Sequence, residues 1–223
     1  MAETIKLAGA DGFEFAAYHE PAFTPRKGGV IVLQEIFGID QHVRADVARW
    51  AKMGYEAIAP SLYDRREPGF TAGHDPEGLK AGIAHAMGTP LDQALGDIAA
   101  ARDFLQTRGE KVCVVGYCYG GSLAWLAAGK VEGISAASSY YGSLVKANAE
   151  LKPRCPVIIH LGRTDPGIPA DEVAELVGEH HPDVPVYIYA GAGHGFNNQS
   201  PERYNAEAAD LARHRTLELF DKA

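Results

Sequence analysis

Three residues have the types, settings and order that covalent catalysis requires. Cys118 lies within Gly116-Tyr117-Cys118-Tyr119-Gly120-Gly121, Asp165 within Arg163-Thr164-Asp165-Pro166-Gly167, and His194 within Gly191-Ala192-Gly193-His194-Gly195-Phe196. A thiolate is a strong nucleophile, an imidazole can carry its proton, and a carboxylate can fix which imidazole nitrogen bears hydrogen. Together they suit acyl transfer: attack on an ester or lactone carbonyl, then opening of the acyl-enzyme by water.

The glycines around Cys118 have a steric reason. The pattern follows the apolar run Lys111-Val112-Cys113-Val114-Val115 and precedes Leu123-Ala124-Trp125-Leu126-Ala127-Ala128, which has helical propensity. A sharp strand-to-helix bend brings the backbones at Gly116 and Gly120 too close for a Cβ and leaves the nucleophile in strained torsions. The sulfur is then lifted above the sheet beside the positive end of a helix, which favours thiolate over thiol. Cys113, inside a strand, and Cys155, before Pro156, have no basic partner in view and read as structural.

Among the histidines, His194 alone sits in a glycine-rich loop directly after a strand, Pro185–Tyr189. His19, His42, His74, His85, His160, His180, His181 and His214 read as surface or packing residues. With no His-x-x-x-His pair and no Cys/His cluster, no metal is expected. Alone, Asp165 in Asp-Pro-Gly is an ordinary turn residue. The order nucleophile, acid, histidine gives it a second meaning, because that order arises when the three follow successive strands of an α/β-hydrolase sheet.

The elements that must hold these groups are legible as alternating patterns. Short apolar strands are expected at 4–7, 13–18, 30–34, 55–59, 111–115, 134–140, 156–161 and 185–189. Helices are expected from Asp40 as cap to Gly54, over 76–87, from Thr89-Pro90 as cap and first position to about 107, and near 121–129, 170–180 and 202–220. The first two strands read as an edge hairpin with a tight two-residue turn at Asp11-Gly12. The alternation predicts one α/β domain over 1–223, a mostly parallel central sheet flanked by helices on both faces.

Composition narrows the partners. The 223 residues carry a formal net charge of −8, and no run of Lys and Arg could track a phosphate backbone or an anionic membrane. No segment approaches the roughly eighteen apolar residues of a spanning helix, the first twenty lack a secretory pattern, and the three cysteines form no disulfide framework. The expectation is a cytoplasmic, monomeric protein acting on a small molecule.

Gln34-Glu35-Ile36-Phe37-Gly38, the Cys118 hexapeptide, Tyr140-Tyr141-Gly142, the Asp165 loop and Ala192-Gly193-His194-Gly195-Phe196 together resemble the dienelactone hydrolase family, the carboxymethylenebutenolidases, over nearly the whole chain. The resemblance implies an α/β-hydrolase fold and cofactor-free hydrolysis of a lactone or ester. It implies Cys118 as nucleophile, His194 as base and later acid, and Asp165 as the group that fixes the imidazole tautomer. It also implies that Glu35 exchanges partners with the nucleophile, which stays a protected thiol until substrate displaces the carboxylate. Backbone N–H groups of Ile36 and Tyr119 would form the oxyanion hole, one following the third strand and one following the nucleophile.

One departure bears on substrate. The family holds a substrate carboxylate with two arginines; four residues after His194 this chain has Asn198, and the 76–87 region offers only Lys80. Arg65, Arg66 and Lys80 are the candidate substitutes, and a less acidic ester or lactone is compatible with the sequence. Tyr63, Tyr140 and Tyr141 could line an apolar pocket, whereas Trp125 reads as core. Two readings from other classes are a non-catalytic ligand-binding or scaffold protein that retains the fold, and a redox-responsive thiol at Cys118.

Overall fold

Eight strands pair into one sheet in a computed structural model that describes residues 1–223. They are β1 (Glu3–Ala8), β2 (Glu14–Glu20), β3 (Gly28–Leu33), β4 (Tyr55–Pro60), β5 (Val112–Tyr117), β6 (Ala136–Tyr140), β7 (Val157–Gly162) and β8 (Val186–Tyr189), in the order β1-β2-β4-β3-β5-β6-β7-β8. The pairs β1 with β2 and β2 with β4 are antiparallel, and every later pair is parallel. Every residue of β3, β4, β5, β6 and β7 is buried, including the polar Glu56, Ser138, Ser139 and His160, as the central strands of a sheet covered on both faces must be.

Six helices provide that cover: α1 (Gln41–Lys52), α2 (Pro76–Gly88), α3 (Leu91–Gln106), α4 (Tyr119–Lys130), α5 (Ala170–His180) and α6 (Ala206–Lys222). Asp40 caps α1 by accepting from the Val43 N–H at 2.9 Å, and the face Val43, Val47, Trp50 and Ala51 is buried as its spacing requires. Trp50 meets Phe220 of α6 with ring centroids 5.3 Å apart, while α3 packs against α4. Helix α4 is buried along almost its whole length, which fits its apolar composition.

Local details depart from expectation for identifiable reasons. The β1–β2 connection is the five-residue loop 9–13: Ala8 pairs with Glu14, and Asp11 accepts from the Phe13 N–H while Arg65 grips its carboxylate. Thr89 serves the end of α2, donating its hydroxyl to the His85 carbonyl at 2.8 Å, so α3 starts after Pro90. Helix α4 begins at Tyr119, immediately after Cys118, and α6 begins after Asn205, whose side chain accepts from the Ala208 N–H.

Candidate active site

The bend at Cys118 is built from close backbone approaches. Strand β5 ends at Tyr117, and Cys118 has φ 54° and ψ −112°, a conformation that L-residues rarely adopt. Its N–H donates to the Tyr140 carbonyl at 3.0 Å, and the Gly120 N–H donates to the Gln34 carbonyl at 3.0 Å. The bend is thereby fastened to β6 on one side and to the loop after β3 on the other. A Cβ on Gly116 would collide with the Gly120 carbonyl, and one on Gly120 with the carbonyls of Leu33 and Gln34. These two positions can therefore hold only glycine without moving backbone.

His194 and Asp165 reach this bend from the loops after β8 and β7. His194 Nε2 lies 3.1 Å from Cys118 Sγ, and its Nδ1 lies 2.7 Å from Asp165 Oδ2. The other carboxylate oxygen, Oδ1, accepts from the Gly167 N–H at 2.8 Å, so Asp165 is at once the turn residue its sequence suggests and the partner of an imidazole. Both the N–H and the hydroxyl of Thr164 donate to the Ala192 carbonyl at 3.0 Å, tying the two loops together. Phe196, fully buried against Tyr140, Tyr141 and Tyr189, anchors the far side of the histidine loop.

Burial works against a charged imidazole at His194, but the hydrogen bonds to Asp165 and Cys118 outweigh it and raise its pKa to about 10. The arrangement favours an imidazolium beside sulfur at neutral pH. Cys113 and Cys155 lack such a neighbour, and burial pushes their thiols up to about 12 and about 11 respectively. All three cysteines are free.

Glu35 is buried, 3% exposed, rather than solvated at a strand end. Its Oε2 accepts from Asn198 Nδ2 at 2.6 Å and forms no hydrogen bond with Cys118, whose sulfur faces His194 instead. The same Asn198 nitrogen lies 3.5 Å from His74 Nδ1, and His74 Nε2 lies 2.8 Å from Asp40 Oδ2. The His74 ring also stacks on Phe37, with centroids 4.0 Å apart. His74 thus belongs to the surroundings of the site, a role nothing in its sequence setting signals.

The N–H groups of Ile36 and Tyr119 donate to no protein acceptor. Gly82 of α2 presses on the Ile36 carbonyl, where a Cβ would come within 2.5 Å of the oxygen, and so holds the backbone after Glu35. Tyr63, Tyr119 and Tyr141 are buried with hydroxyls that lack partners, and the Tyr141 ring lies 5.1 Å from that of His194. Tyr140 is differently placed, bonding Thr216, and Trp125 is core, donating to the Asn148 carbonyl.

None of the candidate cations replaces an arginine at Asn198. Arg65 is engaged by Asp97 and Asp11, Arg66 donates to the Gly88 carbonyl, and Lys80 is exposed on α2. No group of three or more His, Cys, Asp or Glu side chains is arranged to hold a metal ion. No helix is long and apolar enough to cross a membrane.

Residues 15–223 match the model of the dienelactone hydrolase family. A carboxymethylenebutenolidase of Pseudomonas putida is 33% identical over 231 residues, covering 99% of this chain and 96% of that one. A crystal structure from Klebsiella pneumoniae, provisionally named a dienelactone hydrolase, superposes with a TM-score of 0.87 at 28% identity, covering 100% of this chain and 99% of that one. A dienelactone hydrolase-like promiscuous phosphotriesterase from metagenomic libraries shares the fold, with a TM-score of 0.78 at 21% identity over 99% of this chain and 98% of that one.

Proposed function

The chain belongs to the dienelactone hydrolase family and is a hydrolase of the carboxymethylenebutenolidase type, and from that premise we propose that it cleaves an ester or lactone through a thioester on Cys118. The observation that carries this is the continuous line from Cys118 Sγ through both nitrogens of His194 to Asp165, at 3.1 and 2.7 Å.

The substrate carbonyl is attacked by the Cys118 sulfur. The negative oxygen that develops is met by the N–H groups of Ile36 and Tyr119, which have no other acceptor. Collapse of that intermediate breaks the ester bond, and the imidazolium of His194 gives its proton to the departing alkoxide. Neutral His194 then takes a proton from water, which attacks the thioester, and the acid leaves as the sulfur recovers its starting state. Asp165 keeps the ring in one tautomer and stabilises its charged form. Water and ester in, acid and alcohol out, require no electron carrier.

Glu35 has a positioning role in this scheme, holding Asn198 and through it the loop of His194, with the exchange onto sulfur suggested by the family reserved for another stage of the cycle. The substrate is a small molecule, the protein works as a monomer, and its three free cysteines fit the reducing cytoplasm.

The test is an acyl-enzyme burst. Mixing with p-nitrophenyl acetate should release about one equivalent of nitrophenol per chain ahead of steady turnover, with an acetyl group on Cys118 by mass spectrometry. Undiminished turnover by Cys118→Ala would reject the thioester.

A further inference from the structure

Asp40 repeats, at a second histidine, the arrangement Asp165 makes at the first. Asp165 accepts from the Gly167 N–H on Oδ1 and meets His194 Nδ1 with Oδ2. Asp40 accepts from the Val43 N–H on Oδ1 at 2.9 Å and meets His74 Nε2 with Oδ2 at 2.8 Å. In each pair one carboxylate oxygen is fixed by the backbone, so the other can fix a ring. The chemistry above makes no use of the second pair, yet its imidazole contacts Asn198.

His74 is not free to turn toward solvent. The Ala72 N–H donates to the Phe37 carbonyl at 3.1 Å, and Thr71 pairs with Gly38, so the loop before His74 is laced to the segment that carries Glu35. The His74 ring lies nearly parallel to that of buried Phe37, with 17° between their planes. Ring stacking and the Asp40 bond together leave Nδ1 facing Asn198.

The Asn198 amide is oriented by bonds of its own. Its Oδ1 accepts from the Ser200 N–H at 3.1 Å, and its Nδ2 donates to Glu35 at 2.6 Å. The second hydrogen of Nδ2 is then left for His74 Nδ1, 3.5 Å away. That contact is long, and its content lies in its sign: an amide N–H faces Nδ1, so Nδ1 must present a lone pair. One form of the ring satisfies both neighbours, the neutral imidazole with hydrogen on Nε2. The Asn198 N–H also closes the turn after His194 by donating to the Gly195 carbonyl at 2.8 Å, with Gly195 at φ 77°. Whatever fixes Asn198 therefore fixes the far end of the turn on which His194 rides.

We infer that His74 is a positioning residue for the hydrolysis: Asp40 holds it as the Nε2–H tautomer, its Nδ1 keeps the Asn198 amide turned toward Glu35, and Asn198 in turn holds the His194 turn in register with Cys118. The inference rests on the hydrolase reading above and adds to it a second imidazole–carboxylate pair that acts through Asn198.

The experiment measures p-nitrophenyl acetate hydrolysis by His74 variants. His74→Phe keeps a ring for Phe37 to stack on and removes both nitrogens. Its kcat should fall roughly tenfold or more with KM within about twofold, because a reacting group displaced by about 1 Å can lose ~10²-fold. His74→Gln, whose amide offers one acceptor and one donor, should return to within about threefold of wild type. On an Asn198→Ala background His74→Phe should cost little more, since it acts through that amide. Ring ¹⁵N spectra at about pH 8 should show His74 protonated on Nε2 and bare on Nδ1, a measurement that needs no variant to fold. His74→Phe within twofold of wild type, equal losses in the Gln and Phe variants, a full further loss on the Asn198→Ala background, or hydrogen on Nδ1 would each overturn the inference and leave the hydrolase reading intact. No hydrolysis of p-nitrophenyl acetate by the unaltered protein would overturn the hydrolase reading, and the inference with it.

Discussion

Asn198 donates to Glu35 across 163 positions of sequence, at 2.6 Å, and both side chains are buried. The bond joins the loop after β3 to the loop of His194, so it couples the carbonyl side of the proposed chemistry to the proton-carrying side.

Removing the donor leaves a buried carboxylate short of a partner. Asn198→Ala should lower unfolding free energy by about 1–3 kcal/mol, read as a fall in the urea midpoint. The double variant with Glu35→Gln should recover part of the loss, because a neutral amide is cheaper to leave unpaired. Independent, additive losses would show that the two side chains do not depend on one another.

Asp165→Asn preserves shape but offers His194 an amide in place of a carboxylate. We expect kcat to fall roughly 10²–10⁴-fold with native circular dichroism retained. A variant within threefold of wild type would remove Asp165 from the proposed mechanism.

Proton occupancy at His194 gives a sign for the pH profile. Its pKa is raised to about 10, so the imidazolium is present through neutral pH and is lost as pH rises through that value. The stabilising effect of its partners follows the same course, full below the ordinary histidine value and gone above about 10. The kcat/KM for p-nitrophenyl acetate, corrected for spontaneous hydrolysis, should therefore show an alkaline limb near pH 10, displaced to lower pH in Asp165→Asn. A limb below pH 7.5 in the unaltered protein would contradict this.

Asp46 is fully buried in α1, where Tyr117 donates to it at 2.5 Å, Trp50 at 3.2 Å and Arg213 at 2.8 Å. Arg213 also donates to Asn197 at 3.1 Å, so one carboxylate steadies the residue before Cys118 and, through a guanidinium, a residue just beyond His194. Asp46→Ala should destabilise the fold by about 3–5 kcal/mol, since it strands Arg213. Chemical denaturation measures this directly, and a loss under about 1 kcal/mol would mean water or another group replaces the carboxylate.

The fold was legible because its signals are local. Apolar runs bounded by glycine and proline gave the eight strands, and the Asp40 cap with a buried face at helical spacing gave α1. Cys118, Asp165 and His194 could be selected because glycines and strand ends mark them in the chain itself. Their convergence to hydrogen-bonding distance, by contrast, depends on β7 and β8 lying in sequence order beside β6. The relation of Glu35 to Asn198, and the place of His74 between Asn198 and Asp40, came from long-range approach alone. The two-residue turn expected at Asp11-Gly12 is part of a longer loop instead: the Gly9 N–H donates to the Phe13 carbonyl and the Gly12 N–H to the Gly9 carbonyl, both at 2.9 Å, with Gly12 at φ 81°.

The torsions of Cys118 imply a conflict between durability and reactivity. A non-glycine residue held at φ 54° and ψ −112° costs of order 1–3 kcal/mol, which glycine would largely avoid. A Cys118→Gly chain should consequently melt at a higher temperature than the unaltered protein while having no thiol with which to react. Selection for heat tolerance alone would erode this position first, so its persistence would have to be maintained by demand for turnover.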